Sequence, residues 1–536
     1  MSILRYTASA DNTVVSAYQA NLTTRATGAN CGQADIVEAY SIYGRAPFAT
    51  ASATSGSQGL SRILMKFEVD KIASDRSAGA LPASGSVKFY LRLFNAETSK
   101  TVPRDYALNI LPIAQAWEEG LGLDLENYKD LTKGNIGSNW LYASKTATWV
   151  RPDGESTVGG SYLTGASDPQ FKQAFETGLE DIEVDISPLV EHWLAGTKNN
   201  HGIGVHLSCS YEAYFSASND DKLDPLHTGS IINNTGGAET SYYTKRFFAR
   251  GTQYFYRRPL IEARWDSTQR DDRGDFYYSS SLAPGPDNLN TLYIYNYVRG
   301  RLRNIPAIGT TGSIMVSLYS GSAANNSPSG SKLILHNGTY KVTGGYVSTG
   351  VYSASIAVTA AATPIKTLYD VWWSGSHTHH AATPNGNEFF TGSIAPKTFG
   401  STTDTREPVY YINITNLDNR YTGTETARFN LYVRNKYWNP TIYTKAKETP
   451  EHLPIVSASY RVLRVLDAKE VVAHNTGSDF ATGLSYDVSG NYFDFSMKLL
   501  EPGYEYGFKF AFYDDELNSW LEQDQMFTFR VVDYEY

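Results

Sequence analysis

Cysteine is nearly missing from this chain: 2 in 536 residues, Cys31 and Cys209. So few exclude a disulfide-stapled scaffold, and without a C-x-x-C pair they exclude a zinc ribbon. Both fall in the first domain and could meet, but the favoured reading for both is a free, buried thiol. Methionine is scarce too, at 5. No run of about 18 apolar residues occurs, so no helix long enough to span a membrane is expected. Amphipathic runs beyond about a dozen residues are lacking, which argues against long helices. The opening MSILRYTASADN has no basic-then-apolar pattern, so synthesis in the cytoplasm without a signal peptide is expected. There is no basic excess: 46 Lys and Arg face 55 Asp and Glu, a formal charge of −9. A general nucleic-acid binder is usually basic, so direct nucleic-acid binding is not expected.

Signatures of catalysis are lacking as well. No G-x-S-x-G, P-loop, G-x-G-x-x-G or H-E-x-x-H motif is present. Carboxylates cluster at Glu118/Glu119 and at Asp514/Asp515/Glu516. A glycosidase needs two carboxyls facing each other across a sugar, and adjacent strand residues point opposite ways. The expectation is a protein that is not an enzyme, with no catalytic residue and no cofactor.

Aromatic residues are abundant: 39 Tyr, 23 Phe and 9 Trp. Together with plentiful Gly, Ser and Thr they describe an all-β protein, since aromatic and β-branched side chains suit pleated, half-buried surfaces. Strands are expected at 2–8, 61–69, 87–94 and around 107–111. Long insertions follow at 120–137 and around Trp140, Trp149 and Tyr162, and such loops often carry binding. Residues 266–275, DSTQRDDRGD, read as a charged, Gly-ended linker. Beyond it, strands at 292–299, 314–319, 332–335, 350–358 and 366–373 suit one sandwich. Strands at 409–414, 427–433, 457–466, 492–498, 507–512 and 526–532 suit another. The domain reading is 1–265, 266–400 and 401–536.

One stretch organises the first domain: residues 181–207, DIEVDISPLVEHWLAGTKNNHGIGVHL. Ile182, Val184 and Ile186 alternate with acids, the period of a half-buried strand. Pro188 fits the first turn of a helix, where its missing N–H costs nothing. Leu189, Val190, Trp193 and Leu194 then keep helical spacing. Gly196 ends the turn, and Ile203, Val205 and Leu207 alternate again. This predicts a strand, a short helix crossing the end of a sandwich with Trp193 plugging the core, and a return strand.

The same stretch resembles the DNRLRE-type β-sandwich, a module of surface and virion proteins related to carbohydrate-binding modules. Three other pieces match in order. Leu64-Met65-Lys66-Phe67 falls where that family has its "LLRFD" strand, and Trp117-Glu118-Glu119-Gly120 matches its "W-x-E-G" loop. Arg246 to Gly251, then Arg258 to Ala263, match its closing strands. The resemblance covers the first half and implies a jelly-roll sandwich. Residues 264–285 further resemble structural proteins of tailed phages, marine T4-like ones above all. Leu500, Pro502, Gly503 and Tyr506 resemble the "L-x-P-G-x-x-Y" corner of immunoglobulin-like and fibronectin-like domains, in which Tyr bonds back across the sandwich. The fold expected is serial β-sandwiches: one jelly-roll, DNRLRE-like domain, then two immunoglobulin-like domains.

Candidate sites are few. His377 and His379 point the same way on an extended segment, so they are candidate metal ligands, though two imidazoles leave a three-ligand site incomplete. Trp140, Trp149 and Tyr162 are candidates for stacking on glycan, the alternative being that they fill the base of their loops. Lys245, Arg246, Arg250, Arg257, Arg258 and Arg264 mix with Phe247, Phe248, Tyr254, Phe255 and Tyr256. That interleaving would suit single-stranded nucleic acid. The favoured reading is structural, with arginines stacked on sheet aromatics or forming an interface. The function expected is a phage virion structural protein of the tail or neck. Its partners would be copies of itself and other virion proteins, with no membrane. A carbohydrate-binding adhesin that recognises host surface glycan, and a capsid decoration protein, are the alternatives.

Overall fold

The computed structural model of the chain describes residues 2–16, 28–44, 57–123, 137–212, 236–238, 241–282, 284–321, 328, 330–359, 365–375, 388–397, 409–438, 442 and 452–533. The fold is mostly β, built from several antiparallel sheets, with two α-helices among the described residues. It divides into two compact units. One comprises Ser2–Asp266 together with Gly477–Ala481, and the other the remainder.

Among the described residues the first unit holds ten strands: β1 (Ile3–Ser16), β2 (Ile36–Gly44), β3 (Ser57–Phe67), β4 (Lys88–Leu93), β5 (Tyr106–Pro112), β6 (Phe171–Phe175), β7 (Ile182–Asp185), β8 (Ile203–Leu207), β9 (Tyr242–Phe248) and β10 (Leu260–Arg264). Their order is β6-β5-β8-β3-β1-β10-β4-β7, with β2 on β3 and β9 on β2. Strand β1 serves two partners. Ile3 to Thr7 pair with β10, the register slips between Ala8 and Ala10, and the rest pairs with β3. A bulge lets one strand turn a corner in this way. At the far ends, the Gln173 amide on β6 spans to β7, donating to Asp181 O at 2.8 Å and accepting from Glu183 N at 3.0 Å. The ten strands therefore nearly close into a barrel.

The organising stretch lies as its periodicity predicts. Strand β7 leads into a helix (Ser187–Leu194) with Pro188 in its first turn, Gly196 follows at φ +68°, and β8 returns. Trp193 is buried in the main core with Leu189 and Val190. A second helix was not legible. The strand expected to reach residue 69 stops at Phe67, and Val69–Ser77 is helical. Only Val69 and Ile72 of that helix are buried, too short a stripe to show a period. Arg76 then reaches Glu191 on the first helix, with its two terminal nitrogens at 2.7 and 3.0 Å.

Strand β3 is apolar on both faces. Ile63, Met65 and Phe67 enter the main core, while Leu60 and Leu64 join a second core with Val14, Ile113, Trp140, Leu141, Trp149 and Val158. The loop around residues 138–162 therefore acts as a lid that removes the outer face of β3 from water.

The second unit contains a six-stranded sheet built on Asn290–Tyr295, Ile314–Gly321, Val342–Ser348, Val351–Ile356, Thr367–Trp373 and Glu388–Ile394. The single strand expected over 292–299 breaks. It ends at Tyr295, and Tyr297–Val298 pairs instead with Arg301–Leu302. Arg299 and Gly300 between them both adopt positive φ, 52° and 74°, the geometry of a tight two-residue hairpin. No strand forms over 332–335, where Lys332 makes only a single bridge to Tyr319. Val342–Ser348 was not foreseen, because its glycines and exposed residues hide the alternation. A four-stranded and a six-stranded sheet follow, from Tyr410–Ile414 to Phe527–Val532. Their core is aromatic: Phe508 lies 4.8 Å from Phe529 and 5.1 Å from Phe493, with Phe429, Tyr460 and Phe495 around them.

Candidate functional site

The residues singled out for stacking on sugar are turned inward. Trp140 and Trp149 are fully buried. The Trp149 indole donates to Asn139 O at 2.9 Å, and the Arg62 guanidinium lies over the Trp140 and Tyr162 rings at 5.4 and 5.9 Å. Arg62 pairs with buried Glu212 at 3.3 Å, and Tyr162 donates to Gly159 O at 2.8 Å. Gly159, at φ +71°, is pressed so close that a Cβ there would meet the Trp140 ring at 2.7 Å. No sugar reaches the faces of these two indoles. His377 and His379 lie outside the described residues. Among the described residues, no three His, Cys, Asp or Glu side chains gather as a metal site requires. Cys31 is buried as expected, but Cys209, just past the end of β8, is exposed.

The Trp117-Glu118-Glu119-Gly120 loop is tied into a polar knot. Glu119 accepts from Asp11 N at 2.9 Å and from Arg250 Nε and a terminal nitrogen at 3.0 and 2.8 Å. Asp11 accepts from Arg250 N at 2.5 Å. Asn30 donates to Glu119 O and Ser138 O at 2.8 and 2.6 Å, and Asn12 donates to Ser138 at 2.9 Å. Burial pushes the Asp11 carboxyl up to about 7, opposed by the Arg250 N–H and reinforced by the Glu119 charge. This knot fixes the loop against the part of β1 that follows the bulge.

The basic cluster divides into two parts. Lys245, Arg246, Arg250 and Arg264 are spent as internal braces: Lys245 is buried, Arg246 pairs with Glu38 at 3.3 Å, and Arg264 reaches Glu183 and Glu262 at 2.6 and 2.7 Å. Arg257 and Arg258 belong to an exposed ridge. Tyr254 is 50% and Phe255 56% exposed. Tyr254 meets the Phe248 ring edge-on at 5.6 Å, and Phe255 meets Tyr256 at 5.4 Å. The Arg257 and Arg258 guanidinia lie over Phe248 and Phe255 at 5.5 and 5.3 Å. Arg258 also donates twice to Thr252 O, at 3.1 and 2.9 Å. Rigid, pre-stacked aromatics with arginine are the composition of interface hot spots, because they offer large apolar area at little cost in side-chain freedom.

The charged segment 266–275 is no solvated linker. Asp271 is buried, and Asp272 accepts from the Tyr486 hydroxyl and Thr291 N, both at 2.6 Å. Asp271 N donates to Tyr486 O at 3.0 Å, and Arg273 grips buried Asp370. The segment is a staple inside the second unit, tying the sheet of Thr367–Trp373 to the sheets that follow.

One constellation was invisible in sequence. Ser459 Oγ lies 3.1 Å from His474 Nδ1, and His474 Nε2 lies 3.5 Å from Glu522. The order resembles a hydrolase triad, but Ser459 is fully buried and its hydroxyl also meets Thr482 Oγ1 at 2.8 Å. Glu522 is shared with Lys509 and Arg461 at 2.6 and 2.7 Å. The group locks strands together and presents no nucleophile to a substrate. Comparison with known protein families gives no match, and no curated protein matches the chain.

Proposed function

We propose that this chain is a non-enzymatic structural protein of a tailed-phage virion. Its place is the tail or neck, as a collar, baseplate or fibre-attachment component, and it acts by assembling with copies of itself and with other virion proteins. The finer architecture proposed is a jelly-roll sandwich of DNRLRE type over 1–265, then two immunoglobulin-like sandwiches over 266–400 and 401–536. The ordered motifs of the first half support the phage reading. The Tyr506 hydroxyl, donating to Glu501 O at 2.8 Å, supports the corner of the last sandwich.

One observation carries the assembly role. The basic side chains of the cluster are mostly consumed as internal braces, while Tyr254 and Phe255 stay exposed beside the stacked Arg257 and Arg258. The ridge is the proposed contact with a second copy or a virion partner.

Two measurements test this. Sedimentation of the full chain is expected to show a multimer that the Tyr254→Ala/Phe255→Ala variant loses while keeping its β circular dichroism. Gold-labelled antibody on intact virions is expected at the tail or neck. A monomeric chain missing from purified particles would overturn the reading. Label along distal fibres would replace it with a glycan adhesin, and label on the capsid with a decoration protein.

A further inference from the structure

The main core of the first unit encloses an amine. Lys245 lies on β9 and is 2% exposed. Its Nζ donates to Asn95 Oδ1 at 2.7 Å, Gly178 O at 2.9 Å and Glu180 O at 2.7 Å. The Phe175 and Phe247 rings lie 4.9 and 5.1 Å from it. Asn95 is itself held, because its backbone N–H donates to Asp181 Oδ1 at 2.7 Å.

A carboxylate stands beside this pair. Glu180 Oε1 accepts from Thr177 N, the Thr177 hydroxyl and Glu176 N, at 2.7 to 3.0 Å. Its Oε2 is buried with no hydrogen-bond partner, and so is the neighbouring Tyr106 hydroxyl. The Glu180 charge acts on both Lys245 and Tyr106. Orphaned buried oxygens of this kind need a reason. Burial lowers the Lys245 amine to about 8, opposed by the Glu180 and Asp181 charges, which brings the neutral form within reach near physiological pH.

An amine bonded to a primary amide beside two aromatic rings, with a carboxylate whose charge reaches the amine, supplies the parts of an amide exchange. We propose that Lys245 and Asn95 join through an intramolecular isopeptide bond, with Glu180 as the proton carrier. The Lys245 ammonium gives one proton to the Glu180 carboxylate. The freed Nζ lone pair attacks Asn95 Cγ, and the Nζ–Cγ bond forms as the carbonyl π pair moves to Oδ1. The Oδ1 pair then re-forms the carbonyl, and the Cγ–Nδ2 bond breaks. Nδ2 leaves with its own two hydrogens and one from Nζ, as ammonia. Ammonia recovers the proton from Glu180 and departs as ammonium. One ammonium is consumed and one released, the carboxylate is regenerated, and no oxidant or cofactor takes part. Fixing the two groups in contact supplies the effective concentration that an uncatalysed amide exchange in water lacks.

The bond would close a covalent ring between residues 150 apart in sequence, locking β9 to the chain just past β4. The inference rests on core geometry and stands apart from the assembly role.

Intact-mass spectrometry of the full folded chain tests it, followed by peptide mapping. The chain is expected to be lighter than its sequence by one ammonia, with Asn95 and Lys245 recovered in one branched peptide. Asn95→Ala and Lys245→Arg are expected to restore the sequence mass, and Glu180→Gln to slow or stop linking. Asn95→Asp is expected to link with loss of water instead of ammonia. The wild-type chain alone decides the matter, so no variant need fold. A folded wild-type chain that keeps its full mass after prolonged incubation near neutral pH, with the two residues on separate peptides, overturns the proposal and leaves Lys245 a non-covalent brace.

Discussion

Arg273 grips Asp370 with both terminal guanidinium nitrogens, at 2.5 and 2.6 Å, and Asp370 is fully buried. The Trp372 indole donates to the same carboxylate at 2.6 Å. A charge in that position is tolerated only because it is paired and hydrogen-bonded, and the pairing makes residues 266–275 structural.

Removing the arginine leaves the carboxylate with the indole alone. Arg273→Met is expected to destabilise the second unit by about 3–5 kcal/mol, the usual cost of breaking one side of a buried pair. Scanning calorimetry checks it. Arg273→Met/Asp370→Leu is expected to recover part of the loss. A single-variant cost below about 1 kcal/mol would show that water reaches the site.

Acid should favour the polar knot. Asp11 has its carboxyl raised to about 7 in the fold. The unfolded chain titrates near 4, so between these values the folded state binds more protons. The Asp11 contribution to stability is therefore greatest below about pH 4 and is lost as pH rises through about 7. Denaturation across this range is expected to show Asp11→Asn gaining on wild type with rising pH, by on the order of a few kcal/mol at the alkaline end. Parallel curves for the two proteins would refute the assignment.

The corner tyrosine gives a small, clean test. Tyr506→Phe removes the hydroxyl that donates to Glu501 O and changes little else. A loss of about 1 kcal/mol in urea denaturation is expected, the net worth of one hydrogen bond. A variant as stable as wild type would make the bond ornamental.

Trp140→Ala opens a void beneath the loop lid. A loss of about 3–5 kcal/mol is expected by denaturant melting, the cost of deleting a large buried aromatic. Proteolysis in the segment around residues 138–162 should rise with it. A near-neutral effect would mean the lid adds nothing to the outer face of β3.

Much of the fold follows from short-range pattern. Residues 182–207 switch from period two to helical spacing and back, so strand, helix and strand are readable without tertiary knowledge. The Tyr506 hydroxyl also bonds locally, to Glu501 O five residues back. What escaped depends on distant partners. The helix Val69–Ser77 shows only two buried residues, and its place is set by Glu191 across the fold. Charge in residues 266–275 was visible, but its acceptor Asp370 was not. Trp140 and Trp149 advertised a loop rich in aromatics, and only β3, apolar on both faces, decides that they point inward. Lys245 was grouped with its neighbouring arginines because sequence gives charge without depth.

The first unit is also late to be completed. Ser2 Oγ donates to Ala481 O at 2.6 Å, across 479 residues. Gly477–Ala481 belong to that unit although most of the other unit's chain is made before them. Chains fold from the front as they leave the ribosome. Here the first unit takes in a five-residue piece from far along the chain, and Ser2, just before β1, is bonded to it. A chain cut before residue 477 is expected to lack the Ser2–Ala481 bond while keeping every residue of the ten paired strands.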